Sequence, residues 1–166
     1  MWVVAETVVV VATLLFLRTV YNQDIGALGN FYFSESNSHL NSKGWFDVCS
    51  FGHFKVGMGV QKALSLLPLS ENVRHFFLVA VVCLYEIIEN NESRLGAWRV
   101  KTYTGDSIIN SFTDIACAVA GYYFASLFSW VPFLIVFAVF LSIFKCSPKV
   151  GEKITRSIFG DLVSKA

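Results

Sequence analysis

Charge is what this chain has least of. Only 15% of its 166 residues are Asp, Glu, Lys or Arg, against 55% hydrophobic residues. A typical soluble domain is roughly 25% charged. That shortage excludes an ordinary soluble fold and points to an all-α membrane helix bundle. The chain also lacks cysteine pairs. Cys49, Cys83, Cys117 and Cys146 are far apart, with no CxxC and no zinc-type spacing, so they read as small apolar packing residues. The net charge is +1, and no basic stripe is interleaved with aromatics, which excludes a nucleic-acid partner. No Gly-rich phosphate loop, serine elbow or Cys–His arrangement occurs in the context its chemistry needs. Bases are scarce at the start, where Arg18 is the one base in the first twenty residues and Glu6 stands where a basic signal region would be. No small-residue cleavage site follows Val20. The opening segment therefore reads as a retained membrane helix, not a signal or transit peptide.

What the chain does have is long apolar runs. Five helical segments are expected, at about 2–21, 45–67, 73–91, 106–128 and 133–146. The last is short for a span, which needs roughly 20 residues. It can start at Trp130 with Pro132 in its first turn. The second is semi-apolar, interrupted by His53, Lys55, Gln61 and Lys62. Its Gly57-Met58-Gly59 step suggests a close helix crossing. Trp45, Trp98 and Trp130 fall near the expected membrane boundaries. Residues 1–146 form the transmembrane bundle in this scheme. Residues 147–166 form a basic amphipathic tail, with Ile154, Ile158, Phe159 and Leu162 at helical spacing. With five spans, Lys43, Arg94, Arg99, Lys101, Lys145, Lys149, Lys153, Arg156 and Lys165 share one side. Arg74, and Lys62 if it snorkels, lie on the other. The positive-inside rule then puts the C-terminus on the cytoplasmic or matrix side of a bacterial or mitochondrial inner membrane.

Inside these runs stand two polar stripes. In the third segment Glu86, Glu89 and Asn90 share one face by their spacings of three and four. In the fourth, Asp106, Asn110 and Asp114 recur every four residues, with Ser107 and Ser111 beside them. The segments are sequential, so the stripes can face each other. His53 joins from the second segment. Glu86 and Asp114 are expected to face the bundle interior, with Asn110 in hydrogen-bond reach of the second or third segment. A carboxylate at bilayer depth costs roughly 2.5–3.5 kcal/mol on insertion scales. A chain that keeps several must pair them, hydrate them or use them. Three uses compete: fixing the packing register, holding a metal, or serving as an ion relay or head-group site. Bundle-core di-iron sites pair such carboxylates with Glu-x-x-His motifs. Here the pattern is Glu-x-x-Glu, so no metal and no cofactor is assigned. His39, in the polar loop, reads as a solvated residue.

At these motifs the chain resembles an uncharacterised family of small multi-pass inner-membrane proteins known mainly from alphaproteobacteria. Tyr103-Thr104-Gly105-Asp106-Ser107, Asn110-Ser111 and Asp114 match that family's Tyr-x-Gly-Asp-Ser-x-x-Asn-Ser-x-x-Asp motif. Glu86-Ile87-Ile88-Glu89-Asn90 matches its Glu-Ile-x-Glu-Asn motif. Asn37-Ser38-His39 and Phe51-Gly52-His53 match two further motifs with one departure each. The family's second histidine falls at Val56. The resemblance covers roughly residues 34–125 and implies a membrane topology and a site, but no reaction.

The catalytic residues are left unassigned. The candidate polar cluster is His53, Glu86, Glu89, Asn90, Asp106, Ser107, Asn110 and Asp114. With no complete catalytic set, the expectation leans away from an enzyme, toward an accessory subunit of a larger inner-membrane complex, in contact with lipids and other subunits. The alternative is a membrane-embedded enzyme or transporter that uses the cluster. A subunit that only packs should hold its polar groups in mutual hydrogen bonds. An enzyme should show a cavity that reaches Glu86 and Asp114, open to lipid or water.

Overall fold

The computed structural model describes residues 2–26, 32–33, 43–47, 50–91 and 105–146. The expected amphipathic tail, His39 and Trp98 lie outside the described residues. Five helices are described: α1 (Trp2–Val20), α2 (Ser50–Ser65), α3 (Glu71–Glu89), α4 (Ile108–Ser126) and α5 (Trp130–Cys146). Before α2, β1 (Tyr32–Phe33) pairs in parallel with β2 (Phe46–Asp47), matching Tyr32 to Phe46 and Phe33 to Asp47. The chain among the described residues is thus mostly helical. By length and composition α1 is the one described helix apolar enough to cross a membrane; Trp130–Val139 is a shorter apolar stretch.

Helix α2 starts five residues later than its apolar pattern suggests. Phe46 and Asp47 are taken by the strand pairing. Asp47 Oδ1 accepts from the Ser50 amide at 3.0 Å, and Ser50 Oγ accepts from the Asp47 amide at 3.2 Å. This reciprocal bonding satisfies amides that a helix start leaves open. At the chain's other late start, Ser107 caps α4 by accepting from the Asn110 amide at 3.2 Å. The Asp24 and Ile25 carbonyls accept from the Ile108 and Ile109 amides at 3.0 and 3.2 Å. The turn after α1 is therefore stitched to the start of α4. Gly26 permits this: its φ is +101°, and a Cβ there would lie 2.5 Å from Ser107 Oγ. Helix α5 starts at Trp130 with Pro132 in its first turn, where the ring removes a donor the helix does not need.

Helices α2 and α4 form the tightest crossing. A Cβ on Gly57 would collide with the Ala118 backbone, and one on Gly121 with the Phe54 backbone. Small residues let the two backbones meet directly. Gly59 has no part in it, because a Cβ there meets nothing within 4 Å. Against this pair, α3 and α4 bury a core of Leu78, Val79, Val82, Cys83, Ile115, Ala118 and Tyr122. Met58, Ala125 and Phe133 form a second core among α2, α4 and α5.

The distribution of polarity is inverted relative to a water-soluble bundle. Asp47, Ser50, His53, Glu86, Asn90, Asp106, Ser107, Asn110, Ser111, Thr113 and Asp114 are all buried. Val3, Val4, Val8, Leu15, Val20, Leu84, Leu127, Val131, Leu134 and Ile135 are exposed. Scattered exposed apolar residues are ordinary. A polar interior under an apolar surface is not.

Candidate functional site

The site follows from the two stripes and the α2–α4 crossing. On α3, Glu86 is buried and Glu89 is partly exposed at the helix end. On α4, Asn110 and Asp114 lie one turn apart and are both buried. The close crossing carries α2 against α4, which brings His53 into the gap. His53 Nδ1 lies 3.5 Å from Glu86 Oε1. His53 Nε2 lies 3.7 Å from Glu89 Oε2 and 3.6 Å from Asp114 Oδ2. One imidazole is thus ringed by three carboxylates from two other helices. The Tyr85 ring meets the imidazole edge-on, with centroids 5.5 Å apart.

Not every candidate residue reaches this centre. Asn90 ends α3, donating from Nδ2 to the Glu86 carbonyl at 3.0 Å and accepting from the Asp106 amide at 2.9 Å. It fastens the end of α3 to the chain leading into α4. Ser107 is spent on the α4 cap. Asp106 is buried beside these bonds. Asn90 and Ser107 therefore form a scaffold beside the cluster, His53, Glu86, Glu89 and Asp114 form its centre, and Asp106 lies close enough to Glu86 and Asp114 for its charge to act on both. Asp47 and Ser50 are buried polar residues that the list of candidates omits. Their signal was present as an Asp-x-x-Ser pair ahead of a helix, which is a capping pattern.

The hydrogen bonding of the centre is incomplete. Neither carboxylate oxygen of Glu86 accepts a hydrogen bond, nor does Asp114 Oδ1. Asn110, expected to reach a neighbouring helix, makes no side-chain hydrogen bond through either amide atom. Each such buried group costs about 1–3 kcal/mol. Native proteins keep few of them, and each calls for an explanation. A cavity of about 590 Å³ reaches His53 and Glu89 from the outside, and Glu86, Asn110 and Asp114 are not among its lining residues. Gly52, His53, Lys55, Val56 and Gly59 of α2 line it with Tyr85 and Glu89 of α3 and Phe137 of α5. Gly52 and Gly59 keep it open, since a Cβ on either meets nothing within 4 Å. The loss of histidine at Val56, noted from the motif, leaves an apolar wall there.

A family profile described as a protein of unknown function, DUF2585, matches residues 14–152. The chain belongs to that family. No significant match is found among curated proteins or among solved structures. The DUF2585 span takes in His53, Glu86, Glu89, Asn110 and Asp114, and all of the cavity lining. In this DUF2585 chain the chemistry available is that of one imidazole and three carboxylates. Such a set can exchange protons, bind a cation, or hold a polar head group.

Proposed function

We propose that this DUF2585 chain is a multi-pass inner-membrane protein, bacterial or mitochondrial, that works through its buried His53–Glu86–Glu89–Asp114 centre as an enzyme or transporter. The observation that carries this is the unsatisfied state of Glu86, Asn110 and Asp114. Polar residues kept only to fix helix register would bond to one another. These stop short of one another, next to His53 and Glu89, which line a cavity. Sites that must bind something are where folds accept such frustration.

Membrane embedding is supported by the length and apolarity of α1 and by the apolar surface over a polar interior. The 19-residue α3 and α4 are long enough to span about 28 Å at 1.5 Å per residue. Glu86 and Asp114, within these helices, face inward, which lowers the cost of a span that mean hydropathy alone would reject. The excess of bases on the side of the tail supports a C-terminus on the cytoplasmic or matrix side. A ligand approaches along the cavity between α2, α3 and α5, which is lined by both apolar and charged side chains. A role as accessory subunit draws on the exposed apolar faces of α1 and α5, which lipid would cover equally well.

The test compares stability with function. Glu86→Gln and Asp114→Asn keep side-chain shape, remove charge and add donors that the centre lacks. Thermal melting of the purified protein in mild detergent should stay level or rise. The same variants should fail to complement a deletion of the gene. Melting several degrees lower, with complementation intact, would refute a working site and favour a packing network.

A further inference from the structure

We infer that the centre is a binding site for one divalent transition-metal ion, held by His53, Glu86 and Glu89 with Asp114 beside them. This deepens the proposal of a working site and rests on it. The first argument is spacing. One donor atom each from His53, Glu86 and Glu89 all lie within 4.8 Å of one another. The imidazole-to-carboxylate distances of 3.5, 3.7 and 3.6 Å exceed the roughly 2.7–2.9 Å of a charge-assisted hydrogen bond. The two distances from Nε2, 3.7 Å to Glu89 and 3.6 Å to Asp114, are close to the roughly 3.4 Å between two donors around an ion with bonds of about 2.1 Å, while Glu86 approaches Nδ1.

The second argument is charge. Three carboxylates surround one imidazole, and Asp106 and Asp47 add negative charge beside them. Lys62 donates to the Phe128 carbonyl and lies over the Trp130 and Phe133 rings. Lys55 lines the outer cavity. A divalent cation would offset two of these negative charges. The third argument comes from outside the ligand set. Asn110 is fully buried one turn from Asp114, and neither atom of its amide has a partner. Its carbonyl oxygen can accept from, and its amide can donate to, the water or second carboxylate oxygen of a filled coordination sphere. Glu86 Oε2 and Asp114 Oδ1 are open in the same way.

Imidazole with carboxylates suits manganese, iron or zinc better than calcium or copper(I). Because His53 has a carboxylate at each ring nitrogen, the ion takes one nitrogen and the other keeps a carboxylate partner. That pairing fixes the tautomer in metal-binding histidines. The single histidine and the Val56 wall leave room for one ion, with a coordination position facing the cavity.

The test uses the full-length protein, purified in mild detergent, stripped with chelator and titrated with Mn²⁺. Loss of the free Mn²⁺ paramagnetic signal counts bound ions, and Co²⁺ absorption reports the ligand field. One ion per chain is expected, with affinity falling at least tenfold in His53→Ala and Glu89→Gln and unchanged in His75→Ala. Glu89 sits at the accessible end of α3, so Glu89→Gln decides the matter if His53→Ala does not fold. Absence of binding by folded wild-type protein to Mn²⁺, Co²⁺ and Zn²⁺ overturns the metal site, as does binding indifferent to Glu89→Gln. A chain that binds no ion, yet melts no lower in Glu86→Gln and fails to complement, keeps its working site and loses only the metal.

Discussion

Two described histidines sit toward opposite ends of α3, and they are built differently. His75, in the first turns, meets one carboxylate: its Nδ1 lies 2.7 Å from Glu6 Oε1 of α1. The Tyr122 and Tyr123 rings pack on it, with centroids 5.7 and 5.2 Å away. Tyr122 in turn donates to Glu71 Oε1 at 2.9 Å. His53, packed against the last turns of α3, meets three carboxylates and stands 3.5–3.7 Å from each. The first centre is a short pair that links α1 to α3 through one ring nitrogen and leaves His75 Nε2 without a hydrogen-bond partner. The second is loose and over-supplied with negative charge. The difference teaches which polar group is glue and which is kept for use. A bonded pair resists removal of either member, while a crowded cluster is relieved by losing one.

The comparison breaks most sharply at the helix crossing. Gly57→Val should push α2 off the Ala118 backbone at a cost of about 3 kcal/mol or more. The His53 centre depends on that crossing, and the His75 centre does not. Melting and size-exclusion profiles should show a destabilised or aggregated protein, while Gly59→Val stays monodisperse. Equal tolerance of both substitutions would remove the crossing as the support of the site.

Next in size is the Glu6–His75 pair. Glu6→Leu strands the His75 imidazole and should cost about 1–3 kcal/mol, read as a lower melting temperature. If Glu6→Leu melts like the wild type, the His75 pair is not glue.

A double-mutant cycle sharpens the contrast further. Glu6 and His75 should show a favourable coupling of about 1 kcal/mol when both are replaced. Glu86 and Asp114, replaced by Gln and Asn, should couple with the opposite sign, since each change relieves the other. Chemical unfolding in a fixed detergent gives both values, and the same sign at both ends would erase the distinction.

The smallest expected effect is Gly59→Ala. The new Cβ meets open space, and a helical glycine is about 0.5–1 kcal/mol worse than alanine. A gain of that order in melting is expected, because a single methyl leaves most of the cavity free.

Much of the helical frame could be read along the chain. Apolar runs, Pro68 and the Gly105-Asp106-Ser107 start located five helices to within a few residues, except at α2. There the apolar pattern runs back to Trp45, but Phe46 and Asp47 pair with a distant strand instead. A long-range pairing leaves no periodic trace, so local pattern could not reveal it. The spacing of Glu86, Glu89 and Asn90, and of Asp106, Asn110 and Asp114, put each set on one helix face. Spacing could not separate the scaffold from the centre, because Asn90, Ser107 and Asp114 look alike as polar residues in apolar surroundings.

Composition and period alone determined an apolar helical chain with polar faces too costly to leave unused. That follows from local physics: side-chain transfer energy and the 3.6-residue turn act on neighbours in sequence. Only the tertiary structure decided that Asn90 and Ser107 close helix ends, that Gly57 and Gly121 admit a neighbouring backbone while Gly59 opens a cavity, and that His53 stands among three carboxylates from two other helices. Those outcomes depend on the crossing of α2 with α4 and on distances of a few tenths of an ångström between residues dozens of positions apart. No local pattern encodes such distances, because they are set by how whole helices pack.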